Sequence, residues 1–180
     1  MRERKPARLE AAKLWDYAVK VLAGRAYSTG EMKEKLRRKA EHAADVDPIL
    51  ARLKDYGYLN DRKFAESFAA ARLENEGVGR TRVLADLARR RVAPAVAQQT
   101  VGKVYEDTSE EALVEDFVRR KFRGASREHL FQGEKELAAA YRKLLRAGFR
   151  IQTIVAVLKK FAREPELLDS FEPPEDMAEE

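Results

Sequence analysis

The sequence has no cysteine, and its 180 residues include only one tryptophan and two histidines. Without cysteine the chain has neither a disulfide framework nor a cysteine-ligated metal site. This composition permits a reducing compartment, and we expect a cytoplasmic protein. No apolar stretch approaches the roughly 20 residues that cross a bilayer, and the first residues lack the apolar segment of a signal peptide. We therefore expect no membrane association and no export.

Sequence signals for catalysis are also missing. His42 and His129 lie far apart and without metal-ligand spacing. The pair Gly77-x-Gly79 continues as Arg80-Thr81, so it forms neither a dinucleotide-binding fingerprint nor a phosphate loop, and we interpret it as a turn with fitted glycines. We predict a protein that is not an enzyme, with no catalytic residues, no metal site and no cofactor.

Charge is distributed unevenly along the chain. Residues 164–180 carry eight acidic residues and no lysine or arginine, which leaves 36 basic against 23 acidic residues in 1–163. A body with this excess of positive charge attracts a polyanion or an acidic protein surface. Ordinary solubility is the alternative explanation.

Helical periodicity dominates the chain. Alternating apolar and polar runs are lacking, and Ala, Leu, Lys, Arg and Glu are abundant. Apolar residues recur at spacings of three and four over 9–23, 30–40, 48–56, 61–76 and 80–91. A sixth helix begins at Pro94, and three more follow between Ser109 and Phe161. The pattern predicts nine helices.

Helix ends are indicated by specific residues. Ser28 or Thr29 can cap the second helix, and Asp47 with Pro48 can begin the third. Gly57 stands where a left-handed residue ends the third helix. We expect Tyr58 and Leu59 to pack over that end, and Asp61 to cap the fourth helix.

The nine helices fall into groups of three. Met32 and Leu36 in one middle helix match Val83 and Leu87 in the next, each pair followed by basic residues. Chance similarity between amphipathic helices remains the alternative, but stacked helical repeats of this length are common. We predict an all-α fold: three tandem three-helix repeats forming an elongated, curved body. The predicted segments are a flexible basic arm at 1–8, repeats at 9–59, 60–106 and 107–163, and an acidic, disordered tail at 164–180.

Basic clusters on the middle helices are the most informative feature. If the repeats stack, these clusters align into a track that suits phosphates or carboxylates. Alternatively, the long basic side chains merely lay their stems over the edges of the core. The cluster residues predicted to contact a partner are Lys33, Lys35, Arg37, Arg38, Lys39, Arg80, Arg82, Arg89, Arg90, Arg91, Arg142, Arg146 and Arg150. Lys143 belongs to the third cluster without being placed in this contact set.

Aromatic residues are poorly interleaved with these clusters. Tyr27, Tyr56 and Tyr58 fall on apolar stripes or helix ends, so we predict that they lie in the core rather than in base-stacking platforms. Sequence-specific base recognition is therefore not indicated.

The segment Tyr58-Leu59-Asn60-Asp61, followed by Phe64-Ala65, Arg72 and Gly79, resembles the RecX family, the regulators of the bacterial RecA recombinase. The resemblance extends over about residues 14–161. Supporting matches are Leu22-x-x-Arg25, Met32-x-x-x-Leu36 and the run Leu144 through Arg146-Ala147-Gly148-Phe149. The resemblance implies three tandem three-helix repeats, no enzymatic activity, and binding to RecA and its nucleoprotein filament. Arg72 joins the predicted RecA- or DNA-contacting set through this resemblance.

The resemblance therefore implies a modulator of RecA, mainly an inhibitor, and we expect a monomer. It would bind the RecA–single-stranded DNA filament and limit recombination, ATPase activity and coprotease activity in the SOS response. Direct contact with single- or double-stranded DNA phosphates is left open. A helix-turn-helix transcription regulator is one alternative, although no dimerisation helix is evident, and a helical scaffold for another acidic protein is a second.

Overall fold

Residues with high helix propensity form helices along most of this chain. The computed structural model describes residues 8–122 and 130–170. Within these ranges there are nine α-helices and two 3-10 helices, and the only β contacts are two isolated bridges. The α-helices are α1 (Ala11–Gly24), α2 (Thr29–Arg37), α3 (Val46–Asp55), α4 (Asp61–Glu76), α5 (Arg80–Arg89), α6 (Pro94–Val104), α7 (Glu110–Lys121), α8 (Glu134–Arg146) and α9 (Ile151–Phe161). The all-α prediction is confirmed.

Ser28 caps α2, as one of the two predicted alternatives. Its side chain accepts a hydrogen bond from the backbone N–H of Glu31 at 3.0 Å, and the Glu31 carboxylate accepts one from the Ser28 N–H at 3.2 Å. This reciprocal capping box satisfies two backbone donors at the start of the helix. The Ser28 side chain is fully buried and also donates to the backbone carbonyl of Arg90.

The predicted cap at Asp47 is wrong. A 3-10 turn over Ala43–Asp45 runs directly into α3, so the backbone at residue 47 is already helical and cannot take the extended conformation of a cap. The Asp47 carboxylate instead lies 2.7 Å from Lys33 Nζ. This hydrogen bond lowers the pKa of Asp47.

The tight turn between α3 and α4 forms as predicted at Gly57, which has a φ of +74°. The predicted cap at Asp61 is wrong, because the Asn60 side chain accepts the hydrogen bond from the N–H of Lys63 at 3.0 Å. The Asp61 carboxylate accepts one from the N–H of Thr29 at 2.7 Å and thereby ties the start of α4 to the start of α2. Leu59 is buried, as expected for a residue that packs over the turn.

The described residues form two compact units. One comprises the residues up to Phe68 together with Leu84–Val101, and the other comprises Ala69–Val83 and the residues from Gly102 onward. The division passes through α4 and α5, so each of these helices contributes to both units. The predicted repeat bounds at 9–59, 60–106 and 107–163 stay a prediction.

Each unit has its own apolar core. In the first unit the stripes of α1, α2 and α3 meet, and Leu14, Met32, Leu36 and Leu53 are completely buried. The core of the second unit is formed mainly by α7, α8 and α9. Its completely buried residues include Val114, Val118, Leu137, Leu144, Ile154 and Leu158. Burial of each such side chain stabilises the folded state by about 1.5–3 kcal/mol before conformational entropy is counted.

The predicted disorder of the acidic tail does not hold for its first residues. Pro165–Ser170 form a 3-10 helix against α9, and Leu168 is buried in the core of the second unit. Burial of the Leu168 side chain stabilises this segment, although its composition is mainly acidic. Residues 171–180 lie outside the described residues, as do residues 1–7 of the predicted arm and His129. No helix among the described residues is long and apolar enough to cross a membrane.

Candidate functional site

A cavity lined by cationic side chains lies within the second unit. Its volume is about 350 Å³, and its cations are Arg72, Arg82, Lys121, Lys143 and Arg146. We call it the basic cavity. Three of these residues, Arg72, Arg82 and Arg146, belong to the predicted contact set. Lys121 lies outside every predicted cluster, and Lys143 was assigned to a cluster but not to the contact set.

Four helices supply these cations. Arg72 comes from the second half of α4 and Arg82 from the first turn of α5, whereas Lys121 ends α7. Lys143 and Arg146 lie in the last turn of α8. Basic side chains at the C-terminal ends of α7 and α8 interact favourably with the partial negative charge of the helix dipole. Lys121, Lys143 and Arg146 thus come from helix ends that favour cations, whereas Arg82 comes from the start of α5.

Two glycines allow the α5 and α8 ends to approach closely. The N–H of Gly79 donates to the carbonyl of Ala147 at 2.8 Å. A Cβ at Gly79 would overlap the carbonyl group of Gly148, and a Cβ at Gly148 would overlap the backbone of Arg82. Gly148 also has a φ of +83°, which other residues rarely adopt. This backbone contact sets the position of Arg82 relative to Arg146.

The basic cavity has a strong excess of positive charge. Glu76 is its only carboxylate among the described lining residues, so its five cations leave a formal charge of +4. The Glu76 carboxylate forms an ion pair with Arg72, one turn earlier on α4. Lys143 Nζ lies 4.8 Å from the ring centroid of Phe122. Like charges that share a small concave space favour the binding of an anion.

Arg80 and Arg150, also in the second unit, do not line the basic cavity and instead form contacts within the fold. The Arg80 guanidinium donates to the backbone carbonyl of Tyr105. Burial raises the pKa of Tyr105 to about 12 against the opposing charges of Arg72 and Arg80, and its hydroxyl donates to the carbonyl of Val78 at 2.8 Å. Arg80 therefore helps to fix the turn before α5.

Arg150 is bound to a carboxylate of the same unit. Its Nε lies 2.6 Å from Oε2 of Glu110, whose side chain is 19% exposed, and its N–H donates to the other carboxylate oxygen. The Thr153 hydroxyl donates to the same carboxylate at 2.8 Å. Burial alone would raise the pKa of Glu110, but the hydrogen bonds from Arg150 and Thr153 together lower it. Arg150 thus ties the start of α9 to the start of α7.

The cluster at residues 33–39 lies in the first unit, and three of its five basic residues contact other side chains of that unit. Lys33 binds Asp47, Arg37 lies 3.6 Å from Glu34, and Lys35 lies near the ring of Tyr27. Arg38 and Lys39 form no ion pair with another described residue, and Arg38 is exposed. They are the members of this cluster that are available to a partner.

Residues 89–91 also belong to the first unit, where all three meet carboxylates. Arg89 pairs with Asp86, Arg90 with Glu31 at 3.2 Å, and Arg91 with Glu34 at 3.9 Å. The Arg90 guanidinium also lies over the rings of Phe64 and Phe68, at 5.9 and 5.1 Å from their centroids. Arg90 and Arg91 connect the end of α5 to α2, whereas Arg89 pairs within α5, so charge reversal at residues 89–91 would disturb the fold as well as any partner contact.

Two aromatic residues contradict the expectation that the aromatics lie in the core. The Tyr56 side chain is 63% exposed and Tyr58 is 51% exposed. Tyr56 packs against Trp15 with a centroid distance of 5.8 Å, and Arg52 lies 4.1 Å from the Trp15 ring centroid. The turn at Gly57 leaves both tyrosine rings outside the core, which Leu59 enters instead. Among the described residues, no group of three or more His, Asp or Glu could hold a metal ion.

Comparison with known proteins places this chain in a family. Two family models match: one described as RecX, second three-helix domain, at residues 60–101, and one described as RecX, first three-helix domain, at residues 15–53. A regulatory protein RecX of Amycolatopsis mediterranei is 31% identical over 148 residues, covering 80% of each chain. A regulatory protein RecX of Deinococcus radiodurans is 30% identical over 166 residues, covering 89% of this chain and 75% of that protein.

A solved structure supports the fold. The crystal structure of RecX from Lactobacillus salivarius has a TM-score of 0.65 at 19% identity, covering 84% of this chain and 96% of that chain. The membership predicted from the Tyr58–Asp61 motif is therefore confirmed. This chain belongs to the RecX family of regulatory proteins.

Proposed function

We propose that this protein is a non-enzymatic modulator of the RecA recombinase, mainly an inhibitor. It binds the RecA–single-stranded DNA filament as a cytoplasmic monomer, and it limits recombination, ATPase activity and SOS coprotease activity in the regulation of DNA repair. Membership of the RecX family of regulatory proteins is the observation that carries this proposal.

The charge of the described surface is consistent with such a partner. A filament of protein and DNA presents phosphates and carboxylates, and the basic cavity offers a formal charge of +4 in one concavity. Arg38, Lys39 and Arg142 add positive charge without ion pairs to described residues. Of the predicted contact set, these residues and the exposed Arg146 of the basic cavity are the ones that we propose contact the partner. Arg80, Arg90 and Arg150 are held within the fold.

The direct test uses purified RecA, single-stranded DNA and this protein. We expect increasing amounts of the protein to reduce DNA-dependent ATP hydrolysis and strand exchange, and to sediment with the filament. RecA alone, without DNA, serves as the control for binding to the free recombinase. Full ATPase and strand-exchange activity in the presence of an excess of this protein would contradict the proposal.

The same preparation separates the alternatives. A helix-turn-helix regulator would bind one duplex sequence in the absence of RecA and would leave ATP hydrolysis unchanged. A scaffold for another acidic protein would bind neither the filament nor DNA. Co-sedimentation with the filament together with inhibition is expected only for the RecA modulator.

A further inference from the structure

We infer that residues 171–180 bind the basic cavity of their own chain and compete there with any anionic partner. We call these residues the acidic segment. They lie outside the described residues, directly after the 3-10 helix Pro165–Ser170, and they belong to the same unit as the cavity. The inference goes beyond the proposed function, because it concerns a contact that the protein makes without a partner.

The charge of the acidic segment is opposite to that of the cavity. Five of its ten residues are acidic and none is Lys, Arg or His, which gives a formal charge of −5 at pH 7. The described residues that line the cavity include five cations and one carboxylate, a formal charge of +4. Opposite charges of this size attract each other before any specific contact forms. The acids of the segment are Glu172, Glu175, Asp176, Glu179 and Glu180.

Three cations of the cavity can bind a carboxylate without giving up an ion pair to a described residue. They are Lys121, at the end of α7, and Lys143 and Arg146, in the last turn of α8. Lys121 and Arg146 are exposed, and Lys143 is half-buried. Ammonium and guanidinium groups form charge-assisted hydrogen bonds with carboxylates. These three side chains therefore provide the contacts that an acidic segment needs.

The end of α9, from which the acidic segment follows, lies close to this cavity. The N–H of Arg163 donates to the carbonyl of Phe131 at 3.0 Å. The ring of Phe131 lies 5.3 Å from the ring of Phe122, and Lys143 Nζ lies 4.8 Å from the centroid of the Phe122 ring. Only two aromatic rings therefore separate the end of α9 from a cation of the cavity.

The 3-10 helix holds the start of the acidic segment near this end of α9. Leu168 is buried in the core of the second unit, and the Asp169 carboxylate lies 2.6 Å from Lys159 Nζ, in the last turn of α9. Ten extended residues span about 33 Å, and a compact body of this size is about 30 Å across. The acidic segment can therefore reach the cavity without any change in the fold.

Attachment to the same chain makes even a weak contact effective. Exposed ion pairs are individually weak, so a tighter anionic partner can displace the segment. A closely tethered segment meets its site at an effective concentration on the order of 1 mM. If the detached segment binds at about 0.1–1 mM, the apparent affinity of a competing anion falls by about two- to tenfold.

Carbodiimide cross-linking of the full chain tests the contact, because it joins carboxylates directly to the lysine amines that they touch. Monomers are isolated, and peptide mapping locates the bonds formed by the acidic segment. We expect Lys121 and Lys143 to carry several-fold more of these bonds than Lys103 and Lys135, two exposed lysines of the same unit outside the cavity. The difference should vanish at 1 M salt, where charges are screened beyond about 3 Å.

A pair of single substitutions on α8 tests the role of the cavity. Arg146→Gln removes one cation of the cavity and leaves both reporter lysines, so their cross-links to the segment should fall by about two- to fivefold. Arg142→Gln is the matched control, because Arg142 is an exposed arginine of the same helix that does not line the cavity. This control should leave the cross-links unchanged. Thermal melts verify that both variants fold.

Neutralising the segment tests the competition, and this readout rests on the proposed function. The segment variant carries Glu175→Gln, Asp176→Asn and Glu179→Gln. The control variant has the same net charge and changes three exposed acids of the second unit that do not line the cavity: Glu74→Gln, Glu106→Gln and Asp107→Asn. The segment variant should inhibit ATP hydrolysis by RecA at about two- to tenfold lower concentration than the wild type, and the control variant should resemble the wild type.

Two outcomes would overturn the contact. Cross-links spread evenly over the four lysines would show that the segment has no preferred site, and equal effects of Arg146→Gln and Arg142→Gln would exclude the cavity. Cross-links at the cavity without stronger inhibition by the segment variant would refute the competition and leave the contact established. If the wild type does not affect RecA, the proposed function fails, whereas the cross-links still decide the contact.

Discussion

Gly148 tests the connection between backbone packing and the basic cavity. At this residue φ is +83°, and an added Cβ would overlap the backbone N and the Cβ of Arg82. The substitution Gly148→Ala therefore combines two penalties. The positive φ costs an alanine about 1 kcal/mol, and forcing atoms into a packed contact costs about 1–3 kcal/mol. We expect unfolding free energy to fall by about 2–4 kcal/mol.

A loss of this size is measurable by thermal unfolding monitored by circular dichroism. For a chain of this length each kcal/mol shifts Tm by about 2–4 °C, so a decrease of about 4–16 °C is expected. Because α5 would be pushed away from the end of α8, Arg82 should also move relative to Arg146, and the folded variant should inhibit RecA less than the wild type does.

Gly102→Ala is the matched control in the same unit. Gly102 lies inside α6, and an added Cβ would meet no atom within 4 Å. Alanine has the higher helix propensity, so this variant should be unchanged or stabilised by up to about 1 kcal/mol. If Gly148→Ala unfolds at the same temperature as the wild type, the close backbone contact between α5 and the end of α8 is not needed for the stability of this unit. The reasoning about Arg82 would then be wrong.

Two further predictions concern other contacts. Ser28→Ala removes the side-chain cap of α2 and the hydroxyl that donates to the carbonyl of Arg90. In urea unfolding it should lower the free energy of unfolding by about 2 kcal/mol. Ser67→Ala, at an exposed residue, should leave stability unchanged, and equal effects of the two substitutions would contradict the role of the cap. Glu110→Gln weakens the contact with Arg150 and should cost about 2 kcal/mol at pH 7. The pKa of Glu110 is lower in the folded state than its unfolded value near 4.5. The ionised carboxylate therefore stabilises the fold at pH values above 4.5, and this stabilisation is lost as the pH falls through the folded-state pKa. The difference in stability between Glu110→Gln and the wild type should vanish over the same pH range. A destabilisation that is independent of pH, or equal in the exposed control Glu106→Gln, would refute the assignment.

Local sequence signals predicted most of the helices and several of their ends. Periodic apolar residues define α4 at its observed bounds, and Pro94 begins α6 as expected. Ser28 and Gly57 act as predicted because capping and left-handed turns depend on neighbouring backbone groups. The errors at Asp47 and Asp61 have a common cause. In each case the helix starts elsewhere than the carboxylate suggests, and the carboxylate contacts α2, which is distant in sequence and not visible in any local pattern.

The candidate site could be predicted only in part. Basic clusters pointed to Arg82 and Arg146, and the family resemblance added Arg72. Lys121 was missed because it ends a helix outside the clusters, and only packing brings it to the same cavity. Conversely, Arg90 belongs to a basic cluster as Arg146 does, but its guanidinium is paired with Glu31 and lies over two phenylalanine rings. Charge in a sequence does not distinguish a cation that faces solvent from one that is already paired.

The sequence alone determined the all-α class and the positions of the helices, because helix propensity, apolar periodicity and capping act within a few residues of each other. Family membership also followed from local motifs. Only the tertiary structure decided which arginines form ion pairs within the fold, which tyrosines are exposed and where the cavity lies. These properties depend on side chains and carboxylates that are tens of residues apart and meet only when the helices pack.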